Sequence, residues 1–226
     1  MRSLTRVAAA ALMLGLLATG CASQRHGGST PASTMKAANP PVSVPCAARR
    51  CTPAATITLT DGYSVRLWTY PAPAVSDSAT PVVELLANGQ HRGWWTGRLG
   101  FGWAAKLVCL ATAGNPNCVV SSALGAHAGS AEVLVLRSGT LVSSAAASVI
   151  FDSSQPSAAD LDADGLLDVI GMENDYRPDY AHGHNYWATY RQSAGVLHRT
   201  GCALSTAGTA VPTRLLTGAC PVVPQD

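Results

Sequence analysis

The sequence predicts an all-β domain of antiparallel hairpins, arranged either in propeller-like blades or in a sandwich. Apolar and polar residues alternate with a period of two along several segments, as expected of half-buried strands. Glycine-containing turns separate these segments. Six of the cysteines lie in three near pairs that suit disulfide cross-links. No long amphipathic helix with capping residues follows the N-terminal segment.

Four hairpins are predicted where such a turn separates two alternating runs. The strongest signal is Asp61-Gly62, because Asp-Gly suits the type I′ turn that joins tightly paired strands. The last three hairpins lie roughly 50–54 residues apart, the scale of a repeated sheet unit. An all-β domain without a repeat also shows such intervals. The hairpins span residues 55–70, 82–95, 132–142 and 186–198.

Residues 1–20 have the composition of a bacterial signal peptide. Arg2 and Arg6 form a positive n-region, and an apolar run follows from Val7 to Ala18. That run is too short to cross the hydrocarbon of a bilayer as a helix, which needs ~20 residues. The sequence therefore predicts export.

The residues that end this segment, Leu17-Ala18-Thr19-Gly20-Cys21, resemble the lipobox of bacterial lipoproteins. That family usually has leucine three residues before the cysteine, where this chain has Ala18. The resemblance implies a diacylglyceryl group on Cys21, which becomes the new N-terminus. It also implies a lipid anchor in the bacterial cell membrane, either in its outer leaflet or in the outer membrane. An ordinary secreted protein is the alternative.

Residues 21–45 predict a flexible tether, because they are largely Ser, Thr, Pro, Gly and Ala and contain too little apolar bulk to form a core. The β-rich globular domain is expected over residues 46–226. Sequential pairing of its six cysteines is favoured over the other connectivities, because the near pairs flank turn-forming residues. The favoured disulfides are Cys46–Cys51, Cys109–Cys118 and Cys202–Cys220.

Charge and composition exclude several classes of protein. The chain has 15 Lys and Arg against 13 Asp and Glu, so no basic excess attracts a phosphate backbone and no nucleic-acid partner is expected. Its apolar content of 47% excludes a disordered chain. Seven cysteines behind an export signal indicate an oxidising compartment.

The strongest chemical motif is the acidic segment 160–168, which reads DLDADGLLD. Four carboxylates in nine residues repel one another unless a cation neutralises them, and Ca²⁺ accepts oxygen ligands from such a loop. Gly165 permits a sharp turn. Mg²⁺ fits less well, because it demands a tighter octahedron. The predicted ligands are the side chains of Asp160, Asp162, Asp164 and Asp168 and the backbone carbonyl of Leu166.

This loop differs from an EF-hand, which needs a glutamate at its twelfth position, here Gly171. No helix signal flanks the loop, and residues 169–171 predict the start of a strand. Residues 159–170 resemble the calcium loop of FG-GAP and VCBS repeats, the blades of integrin α-chain-like β-propellers. The resemblance implies that the loop joins adjacent strands and holds one Ca²⁺.

The sequence favours a non-enzymatic lipoprotein whose Ca²⁺-stabilised β domain interacts with protein or glycan at the cell envelope. It contains no GxSxG nucleophile elbow and no P-loop. Trp94 and Trp95 should point to opposite faces of a strand, so one of them is a candidate for stacking on a sugar ring. The alternative function is a cell-envelope hydrolase acting on glycan or peptide. Its acid–base or metal chemistry would come from residues near 173–184, namely Asp175, Asp179, His182 and His184.

Overall fold

The computed structural model describes residues 51–69, 80–97, 103–111, 116–125, 127–152 and 156–221. These residues contain no α-helix, and their strands form three antiparallel sheets. No helix in this part of the chain has the length and apolar character needed to span a membrane. The predicted signal peptide and tether, including Cys21, lie outside the described residues.

Each sheet is a meander in which strands that follow one another in sequence pair side by side. The first sheet contains β1 (Thr52–Thr58), β2 (Tyr63–Thr69), β3 (Val82–Ala87) and β4 (Gln90–Thr96). The second contains β5 (Trp103–Leu110), β6 (Asn117–Ala123), β7 (Gly129–Arg137) and β8 (Thr140–Val142), and β9 (Ser148–Phe151) also pairs with β7. The third contains β10 (Ser157–Ala159), β11 (Asp168–Asn174), β12 (Asn185–Ser193) and β13 (Val196–Ser205).

The four predicted hairpins are confirmed. Asp61 and Gly62 have φ angles of 58° and 76°, and a type I′ turn requires positive φ at both central positions. The other three hairpins also turn through two successive residues of positive φ, the second a glycine. Those three hairpins are β3–β4, β7–β8 and β12–β13, the third and fourth strands of the three meanders. The regular spacing of the last three predicted hairpins therefore corresponds to one sheet per interval.

The second sheet is buried on both faces between the other two. Along β6, Cys118 and Val120 contribute to a core shared with the first sheet, whereas Val119 contributes to a core shared with the third. This alternation follows from the period of two along a strand, which turns successive side chains to opposite faces. The core toward the first sheet includes Leu67, Leu85, Trp95 and Leu134. The core toward the third includes Val133, Phe151, Val169 and Tyr190.

Two of the three predicted disulfides are confirmed. Cys109–Cys118 joins directly paired positions of β5 and β6. Cys202–Cys220 ties β13 to the chain that follows it, where Cys202 N–H also donates to the Gly218 carbonyl at 3.0 Å. The expectation of three is not met within the described part of the chain, because Cys46 lies outside it. The pair Cys46–Cys51 stays a prediction.

Candidate metal centre

The acidic loop joins two strands of the third sheet, as predicted. Ala159 at the end of β10 pairs with Asp168 at the start of β11, so the residues between them form the connection of a hairpin. The chain reverses sharply at Ala163 and Gly165, which have φ angles of 60° and 82°. Glycine adopts such angles without steric cost, which explains its place in the motif.

Three of the predicted ligands converge. One carboxylate oxygen each from Asp160, Asp162 and Asp168 lies within 4.8 Å of the other two. Oxygen ligands of Ca²⁺ lie about 2.3–2.6 Å from the ion, so two ligands on opposite sides are separated by about 5 Å. The spacing and the all-oxygen chemistry of these three side chains therefore fit a Ca²⁺ ion.

Backbone N–H groups of the loop hold two of these carboxylates. Asp160 accepts hydrogen bonds from the N–H of Asp164 at Oδ1 and of Gly165 at Oδ2, both at 3.1 Å. Asp162 Oδ1 accepts from the N–H of Asp164 at 3.3 Å. An ionised carboxylate has about four lone-pair positions, so these bonds leave capacity for a cation.

Asp168 is fully buried and holds the loop from its C-terminal end. Its Oδ2 accepts from Leu161 N–H and its Oδ1 from Gln192 N–H, both at 3.0 Å. Burial raises the pKa of the Asp168 carboxyl, the two N–H donors lower it, and the charges of Asp162 and Asp164 raise it, so that the net change is upward. Buried charges in proteins are paired or bind a metal, so an ionised Asp168 suits a neighbouring cation.

The remaining two predicted ligands are the side chain of Asp164 and the backbone carbonyl of Leu166. Asp164 Oδ1 accepts from Leu166 N–H at 2.9 Å, and Asp164 is not one of the three converging side chains. Its participation, and that of the Leu166 carbonyl, stay predictions.

Arg191 on β12 forms ion pairs with two of the acidic residues. Its Nε lies 2.9 Å from Asp162 Oδ2, and its Nη2 lies 3.0 Å from Asp164 Oδ2. Burial alone would raise the pKa of Asp164, but hydrogen bonds from Arg191 and from Leu166 N–H lower it below its ordinary value. The guanidinium thus supplies positive charge to the loop, a role that sequence reasoning missed.

Asn117 on β6 attaches the loop to the second sheet. Its Nδ2 donates to the Gly165 carbonyl at 3.2 Å, and its Oδ1 accepts from Leu167 N–H at 2.8 Å. Asn117 and Leu167 are both almost fully buried. The loop therefore depends on the packing of two sheets, and no local sequence signal connects Asn117 with it.

Comparison with protein families, with curated proteins and with solved structures finds no match. The resemblance to FG-GAP and VCBS repeats therefore rests on residues 159–170 alone and stays a prediction.

The residues of the hydrolase hypothesis form two separate pairs. His182 Nδ1 lies 2.8 Å from Asp179 Oδ1, and His184 Nδ1 lies 3.2 Å from Asp175 Oδ2. The histidine side chains are 73% and 65% exposed. Among the residues that the structure describes, the only three His, Cys, Asp or Glu side chains close enough to share an ion are those of the acidic loop. The hydrolase hypothesis stays a prediction.

The adjacent tryptophans point to opposite faces of β4, as expected. Trp95 is buried in the core between the first two sheets. Trp94 is half-buried, and its ring centroid lies 6.3 Å from that of Trp68 and 4.6 Å from that of His91. Trp94 is the tryptophan left accessible by this arrangement, and its stacking on sugar stays a prediction.

Proposed function

We propose that this chain is an exported, lipid-anchored protein whose β domain binds one Ca²⁺ in the loop 160–168. It acts as a non-enzymatic interaction module for protein or glycan at the cell envelope. The observation that carries the calcium proposal is the convergence of Asp160, Asp162 and Asp168. Asp164 and the Leu166 carbonyl are the further candidate ligands. The anchor rests on Cys21 and on the leader that precedes it.

The arrangement of the sheets supports reading them as propeller-like blades. The first and third are antiparallel meanders with four strands in sequence order, and the second is such a meander with β9 added beside β7. The three pack in chain order. Propeller blades are four-stranded sheets of this kind. The acidic loop joins the first two strands of the third sheet, as the FG-GAP resemblance implies for adjacent strands of a blade.

The ion has a structural role in this proposal. Bound Ca²⁺ supplies the positive charge that the clustered carboxylates require. Because Asn117 ties the loop to the second sheet and Asp168 ties it to β12, a more stable loop strengthens contacts between elements distant in sequence. Affinity should be modest, of order 10⁻⁴–10⁻³ M, as in extracellular calcium modules.

Calcium is expected to raise the melting temperature of the full chain. At a free concentration 10–100 times the dissociation constant, binding adds about 1.4–2.7 kcal/mol, or roughly 3–10 °C for a domain of this size. Differential scanning fluorimetry with added CaCl₂ and then chelator measures the shift. Mg²⁺ at equal concentration should give a smaller one.

The matched variants for this experiment are Asp160→Asn and Asp61→Asn. Asp160→Asn removes a converging carboxylate and should abolish the calcium shift. Asp61 lies exposed in a turn of the first sheet at φ 58°, an angle that asparagine tolerates, so Asp61→Asn should keep the shift. An unaltered protein that melts at the same temperature in chelator and at a free Ca²⁺ concentration 10–100 times the expected dissociation constant would remove calcium from the proposal.

Replacing Arg191 with Gln is expected to tighten calcium binding about five- to tenfold. The Arg191 guanidinium pairs with Asp162 and Asp164 and repels an incoming cation, so its removal should favour Ca²⁺. Two unit charges at such distances interact by about 1–4 kcal/mol near a protein surface. Isothermal titration calorimetry gives the affinities. Arg92→Gln, at an exposed position of β4, is the control and should bind calcium like the unaltered chain. Equal or weaker binding by Arg191→Gln would show that the guanidinium does not compete with the ion.

A further inference from the structure

A row of polar and aromatic side chains crosses the outer face of the first sheet, the face turned away from the second sheet. Thr56, Arg66, Glu84 and Trp94 occupy directly paired positions on β1, β2, β3 and β4. Trp95, the next residue along β4, belongs to the core on the opposite face. Because side chains alternate between the faces of a strand, the whole row points outward.

Glu84 lies in the middle of this row and holds three neighbouring side chains in place. Its buried carboxylate accepts at Oε2 from Arg66 Nη1 at 3.2 Å and from Trp68 Nε1 at 3.1 Å. Its Oε1 lies 3.2 Å from His91 Nδ1. An ionised carboxylate only accepts hydrogen bonds, so the hydrogen of this last bond is on Nδ1. Glu84 therefore fixes the orientation of Arg66, Trp68 and His91 together.

Two of these side chains keep hydrogen-bonding capacity at the surface. The Arg66 guanidinium has five N–H donors, of which one bonds to Glu84 and the Nε–H bonds to Thr56 Oγ1 at 3.4 Å. The other three N–H groups remain for a ligand. The neutral His91 ring with its hydrogen on Nδ1 has an acceptor at Nε2. The side chains of Arg66 and His91 are 34% and 22% exposed, so a ligand can reach both.

Trp94 supplies an aromatic surface beside these polar groups. The imidazole of His91 lies against its indole with 4.6 Å between the ring centroids, and Trp68 meets it edge-on at 6.3 Å. These contacts hold the plane of the indole, and Trp94 remains only half-buried. The face of an aromatic ring is electron-rich, so it attracts the C–H groups on the flat side of a pyranose sugar.

The spacing along the row indicates a ligand of at least two sugar rings. Trp94 on β4 and Arg66 on β2 are separated by one strand, so their backbones lie about 10 Å apart. One pyranose ring stacked on Trp94 does not span this distance, whereas two linked rings do. The N–H groups of a guanidinium form a fork that matches two oxygens side by side, as on neighbouring hydroxyl groups of the second ring.

The charges in the row favour a neutral ligand. The Arg66 guanidinium is already paired with the Glu84 carboxylate, 3.2 Å away. An anionic ligand would bring a second negative charge close to Glu84, and a cationic one would bring a second positive charge close to Arg66. Like charges placed side by side in an interface disfavour binding.

We infer that the outer face of the first sheet binds a neutral oligosaccharide of two or more hexose rings. One ring stacks on Trp94 and donates a hydroxyl hydrogen to His91 Nε2, and the next ring accepts hydrogen bonds from Arg66. This inference rests on the proposed interaction function and names the ligand class of its glycan arm. It uses side chains of the first sheet and does not depend on calcium in the third.

The experiment titrates neutral trisaccharides into the full chain by calorimetry, with CaCl₂ and with chelator. The probes are cellotriose, maltotriose, mannotriose and galactotriose, and the best of them should bind with a dissociation constant of about 0.1–1 mM. Glucose, mannose and galactose should bind at least about tenfold more weakly than the best probe, because one ring reaches only one end of the row. The cationic glucosamine trimer and the anionic galacturonate trimer should be weaker by a similar factor.

Three variants test the assignment of residues. Trp94→Ala should weaken binding about tenfold or more, and Trp94→Tyr, which keeps an aromatic ring, should recover most of the loss. Arg66→Lys keeps the positive charge beside Glu84 but removes the planar fork, so it should weaken binding about three- to tenfold. The matched controls are Trp187→Phe on β12 and Arg214→Lys at an exposed position after β13, and both should bind like the unaltered chain.

Three results would overturn the inference. These are the absence of saturable binding of every neutral probe at about ten times the expected dissociation constant, equal binding of the charged trimers, and full affinity in both Trp94→Ala and Arg66→Lys. Full affinity in those variants would refute this face and leave the proposed glycan interaction in place. A calcium shift without binding of any probe would refute this face and support the calcium proposal. Probe binding that survives chelator, in a chain without a calcium shift, would refute the calcium proposal alone.

Discussion

Replacing Asp168 with Asn is expected to lower the free energy of unfolding by about 2–4 kcal/mol and to abolish calcium binding. The side chain is fully buried, and both carboxylate oxygens accept backbone N–H groups, from Leu161 and Gln192. An asparagine amide places its NH₂ against one of these donors and leaves that N–H without an acceptor. Each buried unsatisfied group costs about 1–3 kcal/mol. Urea denaturation in chelator measures the stability, and calorimetry measures the binding.

The comparison with Asp160→Asn separates the two effects. Asp160 is half-buried and also accepts two backbone N–H groups, but water can reach its side of the loop. That variant should lose calcium binding and less than about 1 kcal/mol of stability in chelator. If Asp168→Asn were as stable as the unaltered protein in chelator, the buried carboxylate would have no structural role.

Replacing Gly171 with Ala is expected to cost about 2–3 kcal/mol, because it forces apart the second and third sheets. A Cβ at this position on β11 would lie 2.2–2.5 Å from three ring carbons of Phe151. Phe151 is almost fully buried and packs edge-on against Tyr190, with 5.4 Å between the ring centroids. Overpacking a core in this way typically costs 1–3 kcal/mol. Urea denaturation of Gly171→Ala and of the control Gly93→Ala gives the difference between their free energies of unfolding.

Gly93→Ala is the matched control for that substitution. Gly93 also lies within a strand, β4, but an added Cβ there meets no atom within 4 Å. It should leave stability unchanged or raise it slightly by restricting the unfolded chain. A double variant that joins Gly171→Ala with Phe151→Leu should recover part of the loss. Equal stability of the two glycine variants would contradict the close packing of β11 on β9.

The local elements of this protein follow from short stretches of sequence. Asp61-Gly62 specifies its turn, because Asp and Gly tolerate the positive φ angles that the turn requires. Cys109 and Cys118 were predicted as a pair because turn-forming residues lie between them, and the two positions do face each other across β5 and β6. The acidic loop was recognised because all its candidate ligands lie within nine residues.

The partners of that loop were not predictable in the same way. Asn117 lies about 50 residues from Leu167, and Arg191 lies 27 residues from Asp164. Neither has a neighbouring motif that links it with calcium. The ion pairs of Arg191 with Asp162 and Asp164 therefore appear only in the folded chain.

The sequence by itself determined four hairpins with their turns and the acidic loop, and it favoured the two disulfides that the fold contains. Backbone φ preferences, period-two alternation and short loop closures act within a few residues, which is why these features were predictable. The tertiary structure decided which carboxylates converge, how Arg191 pairs with Asp162 and Asp164, and how Asn117 bonds the backbone of the loop. These contacts depend on the register of the strands and on the stacking of the second sheet against the third. Burial of both faces of the second sheet fixes that stacking, and no single segment of the chain specifies it.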